Sequence, residues 1–258
     1  MQIFNLLNKN KKNIDLELQK NNSLFNIEQL IAINFINTSN YETQITHHKN
    51  IENIILSCFN KIAIYFNNIK LKVFLLPLIH NEFYEKEMNG VLAHTDGGSN
   101  IYLYLNLKQN IEPDEVKRII IHESQHILRN NLKETNRIKT LLDVLIDEGA
   151  SEFFVEEILG GNYVGKWANN LNPKEISEYA FTFKEKLTST DPMEIQEVMF
   201  GNTHNIPLWF GYSWGYSIIK SYIQRNSNNN YNIIDLINTN SSYIYSISDY
   251  GEGEYIEK

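Results

Sequence analysis

The sequence predicts an α+β fold in which a small sheet precedes a mainly helical C-terminal part. Three short apolar segments before residue 113 have the length of strands, whereas the later apolar residues recur at helical spacing. No stretch has the composition of a linker between independent domains. We therefore predict a single unit over residues 1–258, with an α/β part over about 23–130 and a helical part over about 131–258.

The three predicted strands follow one another closely in the chain. Leu71–Leu76 ends at Pro77, and a Gly-Gly turn separates Gly90–His94 from the third segment. That third segment, Ile101–Leu107, alternates between aliphatic residues and tyrosine or asparagine. Because side chains alternate between the two faces of a strand, its leucines are expected on one face and its tyrosines on the other.

The predicted helices begin and end at capping residues. Pro113 suits a helix start, and the helix over Leu141–Leu159 is stopped by a Gly-Gly pair. Asn172 and Asp191, each followed by proline, have the pattern of helix caps. A further amphipathic helix is predicted over Tyr212–Arg225.

The two ends of the chain carry weaker patterns. Helix-like stretches cover Ile27–Ile36 and Ile51–Phe66. Residues 1–22 are polar and rich in asparagine and lysine, and we predict that they are loosely ordered. Asn226–Asn230 is predicted to be a loop.

Composition and charge restrict the function classes. The formal net charge is −8, and lysine and arginine cluster only at Lys9–Lys12, so nucleic acid is not an expected partner. The single cysteine, Cys58, permits no internal disulfide and is expected to be a buried, inert thiol. Because neither a signal-like segment nor a membrane-length apolar run is visible, we expect a cytoplasmic protein without a membrane partner.

The chemistry centres on His122-Glu123-Ser124-Gln125-His126. Residues four apart lie on one face of a helix, so both imidazoles can bind one zinc ion. Glu123 lies about 100° around the helix from His122, where its carboxylate can take a proton from a metal-bound water. Isoleucine and leucine on both sides of the motif indicate a buried helix, in which unpaired polar groups would be costly.

Glu148, on the next predicted helix, is the expected third ligand. It follows His126 by 22 residues, which is enough chain for a turn and a returning helix. Two histidines and one glutamate leave the fourth position of zinc open for water. Asp147 is the competing ligand. Gly149, together with Ala150, is expected to permit close approach of the helix that carries the histidines.

Other interpretations of these residues stay open at this point. The pentapeptide can arise by chance, with both histidines satisfied in the core. Asp143, Ser151 and Glu152 can either orient a ligand histidine or lie on the surface. A di-iron carboxylate site needs Glu-x-x-His from two helices, and this chain contains the motif once. The remaining histidines show no metal-binding spacing: His47, His48, His80, His94 and His204.

The motif and the following glutamate resemble the gluzincin pattern of thermolysin-like peptidases. In more detail, the sequence is similar to a bacterial family of predicted zinc-dependent proteases, the YjaZ-like group. The resemblance covers roughly residues 100–225. It rests on four stretches in the same order: residues 118–129, residues 140–154, Trp167–Pro173 and Ile206–Ile219.

The resemblance implies a zincin-like fold with one zinc ion per chain. The implied ligands are His122, His126 and Glu148, and the implied catalytic residue is Glu123. Ile101–Leu107 is implied to be an exposed edge strand, to which an extended substrate can add by main-chain hydrogen bonds.

The resemblance also implies that Gly211-Tyr212 and Gly215-Tyr216 line the site. A downstream tyrosine or histidine helps to stabilise the oxyanion in gluzincins. Tyr212 is the first candidate for this role, Tyr216 the second and His204 the third. Either tyrosine can instead be a packing residue with a satisfied hydroxyl.

The predicted function is that of a zinc-dependent endopeptidase, which hydrolyses peptide bonds by a metal-activated water. Its expected partner is a peptide or protein substrate of narrow range, and removal of a leader during peptide maturation is one candidate role. Two other classes are a zinc-binding regulatory or structural protein without catalysis, and an interaction module without metal. The presence of Glu123 beside the ligands favours the enzyme. Neither the cleavage site nor the oligomeric state follows from the sequence.

Overall fold

The structure is a computed structural model, which describes residues 1–7, 9–32, 50–66, 69–78, 82–132, 138–201, 206–226 and 233–251. The chain divides into two compact units, Met1–Leu128 and Arg129–Lys258, and the division falls inside one long helix. The first unit contains a small mixed sheet, and the second is helical over its described part. The predicted α+β class, with a helical C-terminal part, is confirmed.

Among its described residues, the first unit contains four strands and five α-helices. They are β1 (Gln2–Asn5), α1 (Lys11–Lys20), α2 (Ile27–Ala32), α3 (Ile51–Ile62), β2 (Lys72–Pro77), α4 (Glu82–Glu87), β3 (Val91–Thr95), β4 (Asn100–Leu105) and α5 (Pro113–Leu132). The strand order is β1-β2-β4-β3. Strands β1, β2 and β4 run parallel, and β3 pairs with β4 in an antiparallel hairpin. All three strands predicted from the sequence are present.

The prediction that residues 1–22 are loosely ordered is wrong for the part that the structure describes. Strand β1 joins the sheet, where Phe4 pairs with Phe74 of β2 and their rings stack at 5.0 Å. Asn10 then caps α1, whose Ile14 and Leu18 are buried. Ile14 and Leu18 lie four apart and form one face of this short helix. The polar composition of the segment made this apolar face difficult to recognise from the sequence.

The predicted alternation of β4 is confirmed, but its predicted place at the sheet edge is wrong. Tyr102 and Tyr104 belong to a core cluster with residues of α1 and α2, and the aliphatic side chains on the other face are also buried. Strand β4 pairs with β2 on one side and with β3 on the other, so Ile101–Leu107 offers no open edge. One of the helices that cover the tyrosines, α1, comes from the segment predicted to be loosely ordered, so its place on the sheet was not foreseen.

The second unit follows the predicted helices closely. After the end of α5 it contains α6 (Leu141–Leu159), α7 (Pro173–Phe183), α8 (Pro192–Phe200), α9 (Phe210–Arg225), α10 (Ile233–Asn238) and α11 (Ser241–Ile247). The side chains of Asn172 and Asp191 accept hydrogen bonds from backbone amides of the helices they cap, as predicted. The predicted helix over Ile27–Ile36 is present as α2, and residues 33–36 and 227–230 lie outside the described part of the chain.

Helices α6 and α9 of the second unit approach each other closely at two glycines. A Cβ atom on Gly149 would lie 2.2 Å from the backbone oxygen of Gly215. A Cβ atom on Gly215 would lie 2.1 Å from the backbone oxygen of Leu145. Gly149 does permit a close approach, but the partner is α9 and not the helix with the histidines, so that part of the prediction is wrong. The partner was missed because a glycine shows that a close contact exists without showing which element makes it.

Cys58 is buried in α3, as predicted. Burial raises the pKa of its thiol to about 11, so the reactive thiolate is scarce at neutral pH. Across the residues that the structure describes, none of the helices is both long and apolar enough to cross a bilayer.

Candidate metal centre

Helix α5 presents the histidine motif from a largely buried surface. Its start is favoured by Pro113 and by the acidic residues Asp114 and Glu115, whose charges complement the positive end of the helix dipole. Apolar residues flanking the motif are buried, and so are His122 and Glu123, whereas His126 is partly exposed. The motif therefore lies in a largely buried stretch in which His126 is partly exposed to solvent.

The two imidazoles of α5 point at a common position. Their Nε2 atoms lie 3.2 Å apart, and the ring planes are inclined by 75°. With Glu148 of α6 they form a group that can hold a metal ion, because one ligand atom from each of the three residues lies within 4.8 Å of the others. The structure thus brings together the three residues that the sequence singled out as ligands.

The donor set and its spacing fit zinc. With Zn–N bonds of about 2.0–2.1 Å and tetrahedral angles, two ligand nitrogens would lie about 3.3 Å apart. The observed separation of 3.2 Å between the Nε2 atoms agrees with that value. Two imidazoles and one carboxylate are also a donor set that zinc prefers in catalytic sites, where three protein ligands leave one position open.

Helix α6, which carries Glu148, begins at a well-defined cap. Thr140 and Asp143 form a reciprocal capping box, in which each side chain binds the backbone amide of the other. The competing ligand, Asp147, is held by an ion pair with Arg129 and by Lys139, whose Nζ lies 2.6 Å from Oδ2. The carboxylate that joins the histidine group is that of Glu148.

The sequence permits two interpretations of three further polar residues of α6. They either orient a ligand histidine or lie on the surface. Asp143, Ser151 and Glu152 are all buried. Asp143 belongs to the capping box, and Ser151 donates to the carbonyl of Asp147 at 2.9 Å. Glu152 accepts from the backbone of Gly165 and the indole of Trp167, both at 2.8 Å. A surface position is therefore excluded for all three.

The two candidate tyrosines lie one turn apart on α9 but differ in their surroundings. Tyr212 is partly buried, and its ring contacts Trp209 at 5.5 Å and Phe200 at 5.9 Å. Tyr216 is buried, and its hydroxyl donates to Glu156 at 2.7 Å. Burial and this carboxylate raise the pKa of Tyr216, so its hydroxyl stays protonated and can act as a donor.

The other histidines divide into two groups. His47, His48, His80 and the third oxyanion candidate His204 lie outside the described residues. His94 lies on β3, where its ring stacks on Tyr102 and Tyr104. It is a packing residue of the sheet, in agreement with the structural role expected from the sequence.

Arg129 was not singled out from the sequence. It is 4% exposed and forms an ion pair with Asp147, the residue beside Glu148. A signal was present, since an arginine three residues after His126 continues a run of buried apolar positions. A buried arginine requires a partner, but only the folded chain shows which one it has.

Comparisons with known proteins relate this chain to a family of predicted zinc-dependent proteases. A model of the family described as "Predicted Zn-dependent protease (DUF2268)" matches residues 51–246, which include α5, α6 and α9. The "Uncharacterized protein YjaZ" of Bacillus subtilis (strain 168) is 25% identical over 127 residues, or 47% of this chain and 47% of that protein. This chain therefore spans about half the length of the relative. No solved structure matches.

Proposed function

We propose that this chain, which belongs to the family of predicted Zn-dependent proteases, hydrolyses peptide bonds with one zinc ion held by His122, His126 and Glu148. The observation that carries the proposal is the convergence of two imidazoles and one carboxylate within 4.8 Å. A chance occurrence of the pentapeptide would not bring a glutamate from another helix to the same place.

Glu123 is the proposed general base. A bound zinc ion would supply Lewis acidity, which polarises the scissile carbonyl and lowers the pKa of water from about 16 toward about 7. Glu123 then accepts the proton of the attacking water and delivers it to the leaving amine. Its position next to His122, in a buried stretch of α5, suits this role because a dry surrounding strengthens electrostatic interactions with the reacting groups.

The finer features of the function are proposed from the sequence. The substrate is a peptide or protein of narrow range, the working location is the cytoplasm, and nucleic acid and membranes are not partners. These proposals are supported by the modest negative charge and by the single cysteine.

The decisive experiment substitutes the base and leaves the ligands in place. Glu123→Gln is expected to keep one zinc ion per chain, because all three ligands remain, while turnover falls about 10²- to 10⁴-fold with the loss of proton transfer. Zinc content is measured by metal analysis after reconstitution, and turnover with a panel of fluorogenic peptides.

Glu115→Gln is the matched control, since it makes the same chemical change on α5 at a residue that pairs with Arg118. It should retain both zinc and turnover. Undiminished cleavage by Glu123→Gln would remove Glu123 from the mechanism. Stoichiometric zinc without cleavage of any peptide would indicate a non-catalytic zinc protein, and a zinc content near zero in the natural chain would leave the interaction module.

A further inference from the structure

Arg129 is a buried cation at the end of the helix that carries the histidine motif. All three nitrogens of its guanidinium have partners. Nε forms the ion pair with Asp147, and one terminal nitrogen donates to the carbonyls of Leu236 and Ile237 at 3.4 and 3.1 Å. The other terminal nitrogen donates to Oγ of Ser241 at 3.3 Å. With partners on three sides, the guanidinium has one defined position.

Both carboxylate oxygens of Asp147 are bound in turn. Oδ1 faces Arg129, and Oδ2 lies 2.6 Å from Nζ of Lys139. The side chain of Asp147 is only 10% exposed, so these two cations replace the water that would otherwise solvate it. The two cations balance the charge of Asp147 and hold its side chain. Glu148 is then the member of this Asp-Glu pair that joins the histidines.

The position of Asp147 determines the direction of Glu148. Consecutive side chains of an α-helix point about 100° apart, so the helix rotation that turns Asp147 toward Arg129 also sets where Glu148 points. Arg129 follows His126 by three residues on the same helix. The ion pair therefore couples the rotation of α6 to the end of α5, close in sequence to a ligand on each helix.

We propose that Arg129 and Asp147 are positioning residues, whose ion pair holds Glu148 at the rotation of α6 that completes the zinc site and keeps Asp147 itself from binding the metal. This inference rests on the proposed function, because it needs zinc at the three ligands. The pair is not proposed to bind metal or substrate itself, but it is proposed to increase the affinity for zinc.

The test is the zinc affinity of the full chain, measured by competition with a chromogenic chelator. Arg129→Met and Asp147→Asn should each weaken zinc binding about tenfold to a hundredfold, the usual effect of removing a group that orients a ligand. Arg129→Lys should recover part of the loss, because it keeps the charge but lacks the planar fork of the guanidinium. Combining Arg129→Met with Asp147→Asn should cost little more than either change alone, since both remove one interaction.

Arg118→Met is the matched control. Arg118 lies on the same helix, is also 4% exposed, and pairs at 2.8 Å with Glu115 of the preceding turn. Its loss should lower the stability of the zinc-free chain in urea, as the loss of Arg129 should, but should change zinc affinity less than about twofold.

Two outcomes would overturn the inference alone. One is natural zinc affinity in Arg129→Met and Asp147→Asn, and the other is an equal loss of affinity in Arg118→Met, which would reflect general destabilisation. If Arg129→Met does not fold, Asp147→Asn and Arg129→Lys decide the question in the same assay. A natural chain that binds no zinc would instead defeat the proposed function, and that result is read from the unsubstituted protein.

Discussion

Of the two tyrosines considered for oxyanion stabilisation, Tyr216 has a hydroxyl that is already bound to a carboxylate. The hydroxyl of Tyr216 donates to Glu156, and Lys220 binds the same carboxylate at 2.7 and 2.9 Å. A hydroxyl that already donates its proton to a carboxylate is poorly placed to stabilise a developing oxyanion elsewhere. Tyr212 packs through its ring against Trp209 and Phe200, and we keep it as the first candidate, as the family resemblance implied.

At the residue scale, Tyr212→Phe should therefore lower kcat while KM changes little. An oxyanion donor acts mainly in the transition state, and the loss of one such donor costs about 10²- to 10³-fold in kcat. The aromatic contacts of the ring are kept by phenylalanine, so zinc content and unfolding temperature should be nearly unchanged. Steady-state kinetics with the best substrate of the peptide panel provides the measurement.

Tyr216→Phe is the control for this change, because it removes a hydroxyl from the same helix one turn later. Tyr216→Phe should lower stability slightly and leave kcat nearly unchanged. The hydrogen bond to Glu156 is lost, but Glu156 keeps Lys220 as a partner. A larger loss of kcat in Tyr216→Phe than in Tyr212→Phe, at equal zinc content, would reverse the two assignments.

At the scale of elements, the crossing of α6 and α9 depends on the absence of side chains. Gly149 of α6 lies four residues, about one helical turn, after Leu145 and directly after Glu148. The atoms that a Cβ would meet are backbone atoms of Gly215 and Tyr216, which cannot move aside as a flexible side chain can. The two helices would have to separate.

Gly149→Ala should consequently destabilise the protein, although alanine is the better helix former by about 1 kcal/mol. The clash with backbone is expected to outweigh this gain and to lower the free energy of unfolding by about 2–3 kcal/mol. Urea unfolding of the zinc-free chain is the measurement. Glu157→Ala, at an exposed position of α6, should stay within about 0.5 kcal/mol of the natural chain. Increased stability of Gly149→Ala would show that the helices do not approach at this point.

At the scale of the whole molecule, His94 links stability to pH. Burial lowers the pKa of His94 to about 4, and the carboxylate of Asp96 opposes this only in part. In an unfolded chain the histidine pKa is about 6.5. The unfolded state therefore binds a proton first as the pH falls, so the free energy of unfolding is highest above about pH 6.5 and declines between there and about pH 4.

His94→Phe should reduce this decline, because the replacement ring can stack on Tyr102 and Tyr104 but does not titrate. The difference between the free energies of unfolding at pH 7 and pH 5 is expected to shrink by about 1–2 kcal/mol. Urea unfolding in the presence of a chelator measures it without a contribution from metal binding.

Phe25→Leu is the matched control for His94, since the Phe25 ring lies 5.5 Å from the His94 ring and carries no titratable group. It should lower stability about equally at both pH values. A pH dependence in His94→Phe equal to that of the natural chain would show that His94 is not the group responsible.

Local sequence patterns were sufficient for much of the molecule. The bounds of α6 and the caps at Asn172 and Asp191 depend on residues within one turn of each helix end, so they could be predicted from neighbours in the chain. The spacing of His122 and His126 likewise needs only one helical turn to bring both imidazoles to one side. These features involve short-range geometry alone.

Only the tertiary structure decided the remaining features. The place of β4 inside the sheet, the contact of Gly149 with α9, and the binding of Asp147 by Arg129 each join residues distant in sequence. The choice of Glu148 over Asp147 is of the same kind, because both are acidic neighbours on one helix. The sequence by itself determined which side chains can bind zinc and carry a proton; long-range packing determined which of them meet, because burial requires each charge to find a partner elsewhere in the chain.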